Sequence, residues 1–200
     1  MGTLYLGFLA SHGGSNMQAI IDACKAGRLD AKPCVVISNN SDSLALRRAK
    51  DAGIRAYHIS GATHTGPLED EEILRVLKRH AVDTLVLAGY MKMLGPSILR
   101  AYRGRILNIH PALLPRFGGK GMYGKRVHEA VLAAGEKVTG VTIHIVDEHY
   151  DTGPIIAQCE VPVLPGDTAD SLAERVLKQE HALYPETLQK IADGRILLEK

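Results

Sequence analysis

Leu4-Tyr5-Leu6-Gly7-Phe8-Leu9-Ala10-Ser11-His12-Gly13-Gly14-Ser15-Asn16-Met17-Gln18-Ala19-Ile20-Ile21 decides the fold of this chain. Its first seven residues are almost unbroken apolar, the pattern of a strand buried on both faces. From Ser15 to Ala26 the period changes. Met17, Ile20, Ile21 and Cys24 recur at three- and four-residue spacing, which predicts a helix. A buried strand that passes through a short glycine turn into a helix is the opening unit of a parallel α/β sheet.

The alternation continues outward from this unit. Pro33–Ser38 reads as a strand, Ser43–Ala52 as a helix stopped by Gly53, and Ala56–Ile59 as a short strand. Glu69–His80 reads as a charged amphipathic helix, and Asp83–Ala88 as a buried strand closed by Gly89. Beyond these, Arg105–Ile109 is a predicted strand and Lys125–Ala134 a helix. Val138–Val146 and Ile155–Val161 are strands with no helix between them, so they can pair antiparallel. A long helix runs from about Thr168 to Ala192 with a disturbance expected at Pro185, and Arg195–Leu198 could add a last edge strand. The prediction is one α/β domain over residues 1–200. It is Rossmann-like and three-layered, with a mostly parallel sheet and antiparallel C-terminal strands.

Composition agrees and excludes alternatives. Two hundred residues suit one domain, and 46% hydrophobic with 23% charged residues argues against disorder. Lys+Arg 24 against Asp+Glu 22 leaves no basic footprint for nucleic acid. No apolar run approaches the roughly 18–20 residues of a membrane span. Met1-Gly2-Thr3-Leu4-Tyr5 lacks a basic leader segment, and Leu6 stands where a myristoylation signal needs Ser or Thr. Cys24, Cys34 and Cys159 form no Cys-x-x-Cys pair. They read as buried free thiols, and the chain as cytoplasmic.

Four places can carry chemistry. The Gly13-Gly14-Ser15-Asn16 turn offers free N–H groups at a helix start, suited to a phosphate. It lacks the third glycine of a dinucleotide fingerprint and the G-K-[ST] of a P-loop, and Ser15-x-x-Gln18 reads equally as a plain capping box. Asn108 and His110 lie on one face of a buried strand at its C-terminal end, and Pro111 stops the strand. An amide donor beside a histidine suits acyl transfer, although a hydrogen-bonded core histidine fits the spacing too. Thr142 and His144 form a second such pair, and Asp151 in Asp151-Thr152-Gly153-Pro154 could orient an imidazole. His110, His144, His149 and Asp151 match no zinc spacing, so no metal is expected. Glu180 falls on the apolar stripe of Leu172, Val176 and Leu183. It is either a snorkelling surface carboxylate or one held for a ligand hydroxyl or amine.

These stretches resemble a known family. Gly14–Ile20, Leu87–Leu94, Asn108–Pro115, Asp151–Ile156 and Gln179–Pro185 are similar to segments of the glycinamide ribonucleotide transformylases, a branch of the folate-dependent formyltransferases. The resemblance runs from about residue 3 to residue 195. It implies the formyltransferase fold, with a phosphate-binding half over 1–100 and a catalytic, folate-binding half over 101–200. It further implies transfer of the formyl group of 10-formyltetrahydrofolate to the amine of 5-phosphoribosylglycinamide in purine biosynthesis. Asn108, His110 and Asp151 would be the catalytic trio. Gly14, Ser15 and Asn16 would hold the phosphate, and Glu180 the ribose. Met91, Lys92, Met93 and Leu94, with Asn108, Val146 and Asp147, would wall the folate pocket.

Small-molecule substrates, no nucleic acid, no membrane, no metal, and a monomer or homodimer follow from the same resemblance. Lys92 stands where relatives often carry Arg, and Gly66 lies near another such Arg position. Phe117–Lys125 is glycine-rich and reads as a mobile loop over the site. The alternatives are a formyl-folate hydrolase, a formyltransferase acting on methionyl-tRNA, or a non-catalytic nucleotide- or folate-binding module. The first two carry additional domains, which a chain from Leu4 to Lys200 is not expected to hold.

Overall fold

A computed structural model describes residues 2–198; Met1, with the leader reading that begins on it, lies outside them, as do Glu199 and Lys200. The elements are β1 (Leu4–Ala10), α1 (Ser15–Lys25), β2 (Ala31–Ser38), α2 (Leu44–Asp51), β3 (Arg55–His58), α3 (Pro67–Arg79), β4 (Thr84–Leu87), α4 (Pro96–Ala101), β5 (Ile106–His110), α5 (Lys125–Ala133), β6 (Val138–Ile145), β7 (Ile155–Pro162) and α6 (Ala169–Ala192). The sheet runs β3-β2-β1-β4-β5-β6-β7. Strands β1 to β5 pair in parallel, while β6 and β7 are antiparallel. The expected architecture is present.

Apolar side chains on the two faces of the sheet explain the three layers. Leu6, Phe8, Val36, Val86 and Leu107 point to one face, where α1, α2, α5 and α6 contribute Met17, Ile20, Ala45, Val131, Leu172 and Val176. Leu9, Ile37, Leu85 and Ile106 point to the other, against Ile73, Val76 and Leu77 of α3 and Ile98 of α4. Each such fully buried Ile, Leu or Met contributes about 1.5–3 kcal/mol of transfer free energy. Tyr184 of α6 is wholly buried; its hydroxyl donates to Leu107 O at 2.8 Å, with Leu87 O at 3.4 Å. These contacts tie α6 to the end of β4 and the start of β5.

Chain order reverses between β1 and β4. The crevice at such a reversal is where open α/β sheets hold ligands. The turn after β1 and the loop after β4 both open into it, joined by Ser11 N–H donating to Gly89 O at 3.0 Å and Met91 N–H to Ser11 Oγ at 2.8 Å.

Five points of the sequence reading need correction. Arg195–Leu198 is irregular, not an edge strand. The helix α6 runs unbroken through Pro185, which removes only the bond to His181 O because Pro has no N–H. The six-residue α4, opened by Pro96, carries too short a pattern to be read from period alone. The capping box at Ser15 does not form: Gly14 caps α1 with φ 65°, and no side chain caps it. The three cysteines are free but only half-buried, and burial pushes the Cys24 thiol up to about 11.

Candidate active site

Gly14 is dictated twice. Its left-handed backbone favours glycine, and a Cβ there would stand 2.8 Å from that of Ala45 on α2. The helix start that follows leaves its first N–H groups without intrahelical partners. Asn16 lies in this first turn, and its Nδ2–H donates to Glu180 Oε2 at 2.6 Å. Glu180 is thus no snorkelling surface group: it is 8% exposed, and burial pushes its pKa up to about 7 against the opposing Asn16 bond.

The antiparallel register places Asn108 opposite His144 and His110 opposite Thr142. The two pairs read separately from the sequence therefore form one patch. Asn108 Nδ2 lies 3.1 Å from His144 Nε2, while His144 Nδ1 lies 2.9 Å from Ile145 O. A carbonyl only accepts, so Nδ1 carries a proton; in the neutral ring Nε2 accepts from Asn108, and a second proton there lets it donate to Asp151 instead. The second Asn108 N–H stays free for a ligand oxygen.

Asp151 joins the two histidines. Its Oδ2 is 3.6 Å from His110 Nδ1 and its Oδ1 3.5 Å from His144 Nε2. It has φ 57°, and Gly153 seats its turn where any Cβ would collide with Ile145 O. Burial alone would raise the Asp151 carboxyl, but His144, the His110 charge and the Gly119 N–H at 2.9 Å together hold it below its usual value. Burial draws His110 below the ordinary imidazole range, and Asp151 and the Phe117 carbonyl pull the other way. His110 Nε2–H donates to Phe117 O at 2.8 Å. Both His110 nitrogens are thus engaged by the protein.

Thr142 supports the patch from beneath. Its hydroxyl donates to Ala112 O at 2.6 Å and accepts from Leu114 N–H at 3.0 Å and Gln158 Nε2–H at 2.8 Å. This holds the chain just beyond His110 against β6.

These groups line a cleft of about 490 Å³ at the C-terminal edge of the sheet. Asn16, Met91, Lys92, Met93, Leu94, Asn108, His110, Val146, Asp147, Asp151 and Glu180 all line it; Gly14 and Ser15 do not. The glycine-rich segment contributes Gly119 to Gly124, with Tyr123 beneath the Arg126 guanidinium at 5.1 Å. Lys92 is not a free cation. Glu69, in the first turn of α3, accepts from its Nζ at 2.8 and 3.1 Å. His144 and the two loop contacts at Phe117 and Gly119 were absent from the catalytic set read from sequence. The Thr142/His144 spacing was the available signal for the first, and nothing local announced the others. Among the described residues, no group of three or more His, Cys, Asp or Glu could hold a metal ion, and no helix is long and apolar enough to cross a membrane.

Comparison with known proteins places the chain in a family. The chain matches the family described as formyl transferase over residues 6–188. It is 43% identical over 196 residues to a chloroplastic phosphoribosylglycinamide formyltransferase of Vigna unguiculata, covering 98% of this chain and 63% of that one. It is 40% identical over 193 residues to the phosphoribosylglycinamide formyltransferase of Escherichia coli K12, covering 96% and 89%. A solved structure, glycinamide ribonucleotide transformylase 1 from Symbiobacterium toebii, superimposes with a TM-score of 0.92 at 41% identity, covering 98% and 91%. The chain spans just under two thirds of the plant relative and nearly all of the bacterial ones. With β5, its strand-end pair and the Asp151 turn all inside the matched span, the chain belongs to the formyl transferase family.

Proposed function

We propose that this chain transfers the formyl group of 10-formyltetrahydrofolate to the amine of 5-phosphoribosylglycinamide, releasing formylglycinamide ribonucleotide and tetrahydrofolate. The observation that carries this reading is the Asn108–His144–Asp151–His110 network lining the cleft. On the proposed division of labour, residues 1–100 carry the phosphate turn and residues 101–200 the catalytic groups. The apolar wall of Met91, Met93, Leu94 and Val146 suits a pterin ring and its linker, and Glu180 with Asn16 suits ribose hydroxyls. The substrate phosphate would take the N–H groups of Gly14, Ser15 and Asn16.

In the reaction, the amine attacks the formyl carbon and a C–N bond forms. The carbonyl electron pair moves to oxygen, where the free Asn108 N–H stabilises it. An imidazolium at His110 would keep its two N–H groups on Phe117 O and Asp151, placing a positive charge beside that oxyanion. The amine loses a proton, folate N10 gains one, and the bond from N10 to carbon breaks; the Asp151–His110 pair is the route for those protons. Release of Nε2 from Phe117 O would let His110 exchange a proton with substrate directly. Mass spectrometry of the reaction mixture tests this: formylated ribonucleotide must appear with tetrahydrofolate in equal amounts, and formate in its place rules the reading out.

A further inference from the structure

Helix α2 grips the turn after β1. Ala45 N–H donates to His12 O at 3.0 Å, and Arg48 Nε–H donates to Gly13 O at 3.0 Å. In a planar trans peptide, C=O of one residue and N–H of the next point in opposite directions. Drawing these two carbonyls towards α2 therefore turns the N–H groups of Gly13 and Gly14 away from it. Arg48 also lies 3.5 Å from Gln18 Oε1. Both of its acceptors are neutral, so its full charge stays beside the turn. Asn16, nine-tenths buried in the same turn and lining the cleft, has an Oδ1 with no hydrogen-bond partner. A polar atom enclosed and unsatisfied there points to a ligand that completes the site.

We propose that Arg48 makes this turn selective for a phosphorylated amine, by orienting the Gly14 N–H through the Gly13 carbonyl and by adding a positive charge next to it. The inference rests on the reading that the turn receives the substrate phosphate. Arg48 is a positioning residue, since it acts through the turn. Its charge does what a basic surface would otherwise do, at one point.

The test uses the full chain and Arg48→Gln, with ribose 5-phosphate and ribose as binding probes in calorimetry. The same pair is assayed with phosphoribosylglycinamide and its dephosphorylated form. Losing one charge-assisted contact should weaken ribose 5-phosphate about tenfold. The ratio of kcat/KM for the phosphorylated over the dephosphorylated amine should fall by about the same factor, with KM for formyl-folate unchanged. Arg48→Lys keeps the charge without the fork; it should fall about threefold and serves if the Gln variant does not fold. Equal losses on both amines would make Arg48 merely structural and overturn the inference, as would no loss or no binding of ribose 5-phosphate by the parent chain. A parent chain that formylates no ribonucleotide yet binds ribose 5-phosphate through Arg48 would remove the proposed function and keep this inference.

Discussion

Asn108 Nδ2 faces His144 Nε2 at 3.1 Å across the β5–β6 ladder, and that contact decides which way the Asn108 amide is turned. With Nδ1–H committed to Ile145 O, a neutral His144 can only accept from Asn108. The amide therefore cannot rotate its oxygen towards the cleft without losing a partner. His144→Leu should lower kcat by on the order of 10–100-fold with both KM values little changed, because an oxyanion donor loses its orientation. Steady-state kinetics with each substrate varied in turn checks this. A rise in KM with kcat intact would assign His144 to substrate binding.

His110→Ala should fold normally and lose roughly 10²–10⁴-fold in kcat, as expected for a proton-transfer group. The side chain holds only Phe117 O and Asp151, so little core packing goes with it. Near-parental kcat in a variant with a parental melting curve would remove His110 from the mechanism.

Glu180 links pH to stability. Its pKa is about 7 in the folded chain, against an ordinary value of 4.5 when exposed. The folded state therefore holds this proton more tightly than the unfolded one. The sign follows: stability is fully present below pH 4.5, falls as pH rises towards 7 and levels above it. The loss from this group is on the order of 3 kcal/mol. Glu180→Gln cannot ionise, so its stability advantage over the parent should be larger at pH 8 than at pH 5. Denaturant melts of both proteins at the two pH values measure this, and parallel changes would contradict it. The same variant should bind ribonucleotide more weakly.

Thr142→Val keeps volume but removes a hydroxyl with three hydrogen bonds. Leaving Leu114 N–H and Ala112 O without that partner should cost about 1–3 kcal/mol. Because these groups hold the chain beyond His110, kcat should fall together with the denaturation midpoint. Loss of stability with full kcat would show that the clamp is structural only.

Much of the fold is local in origin, and so it was legible. The apolar run of β1, the change of period into α1 and the one-face placement of Asn108 and His110 depend on neighbours two to four residues away. The Asn108–His144 pairing does not. It follows from the register of two strands separated by a loop and a helix, which no local pattern states. The same holds for Glu69 neutralising Lys92, a contact between α3 and the loop after β4. The turn at Gly14 shows a local preference overridden. Ser15 and Gln18 fit a capping box, but close packing on Ala45 demands a left-handed glycine as cap and moves Ser15 into the first turn. The Phe117 and Gly119 contacts use backbone atoms, which carry no residue signature.

The most direct test of the central claim is a spectrophotometric assay of the purified chain with 10-formyltetrahydrofolate, with and without phosphoribosylglycinamide. Formyl transfer by this site predicts tetrahydrofolate release that requires the ribonucleotide and saturates with it. Deformylation at the same rate in its absence would contradict the account and make the chain a formyl-folate hydrolase.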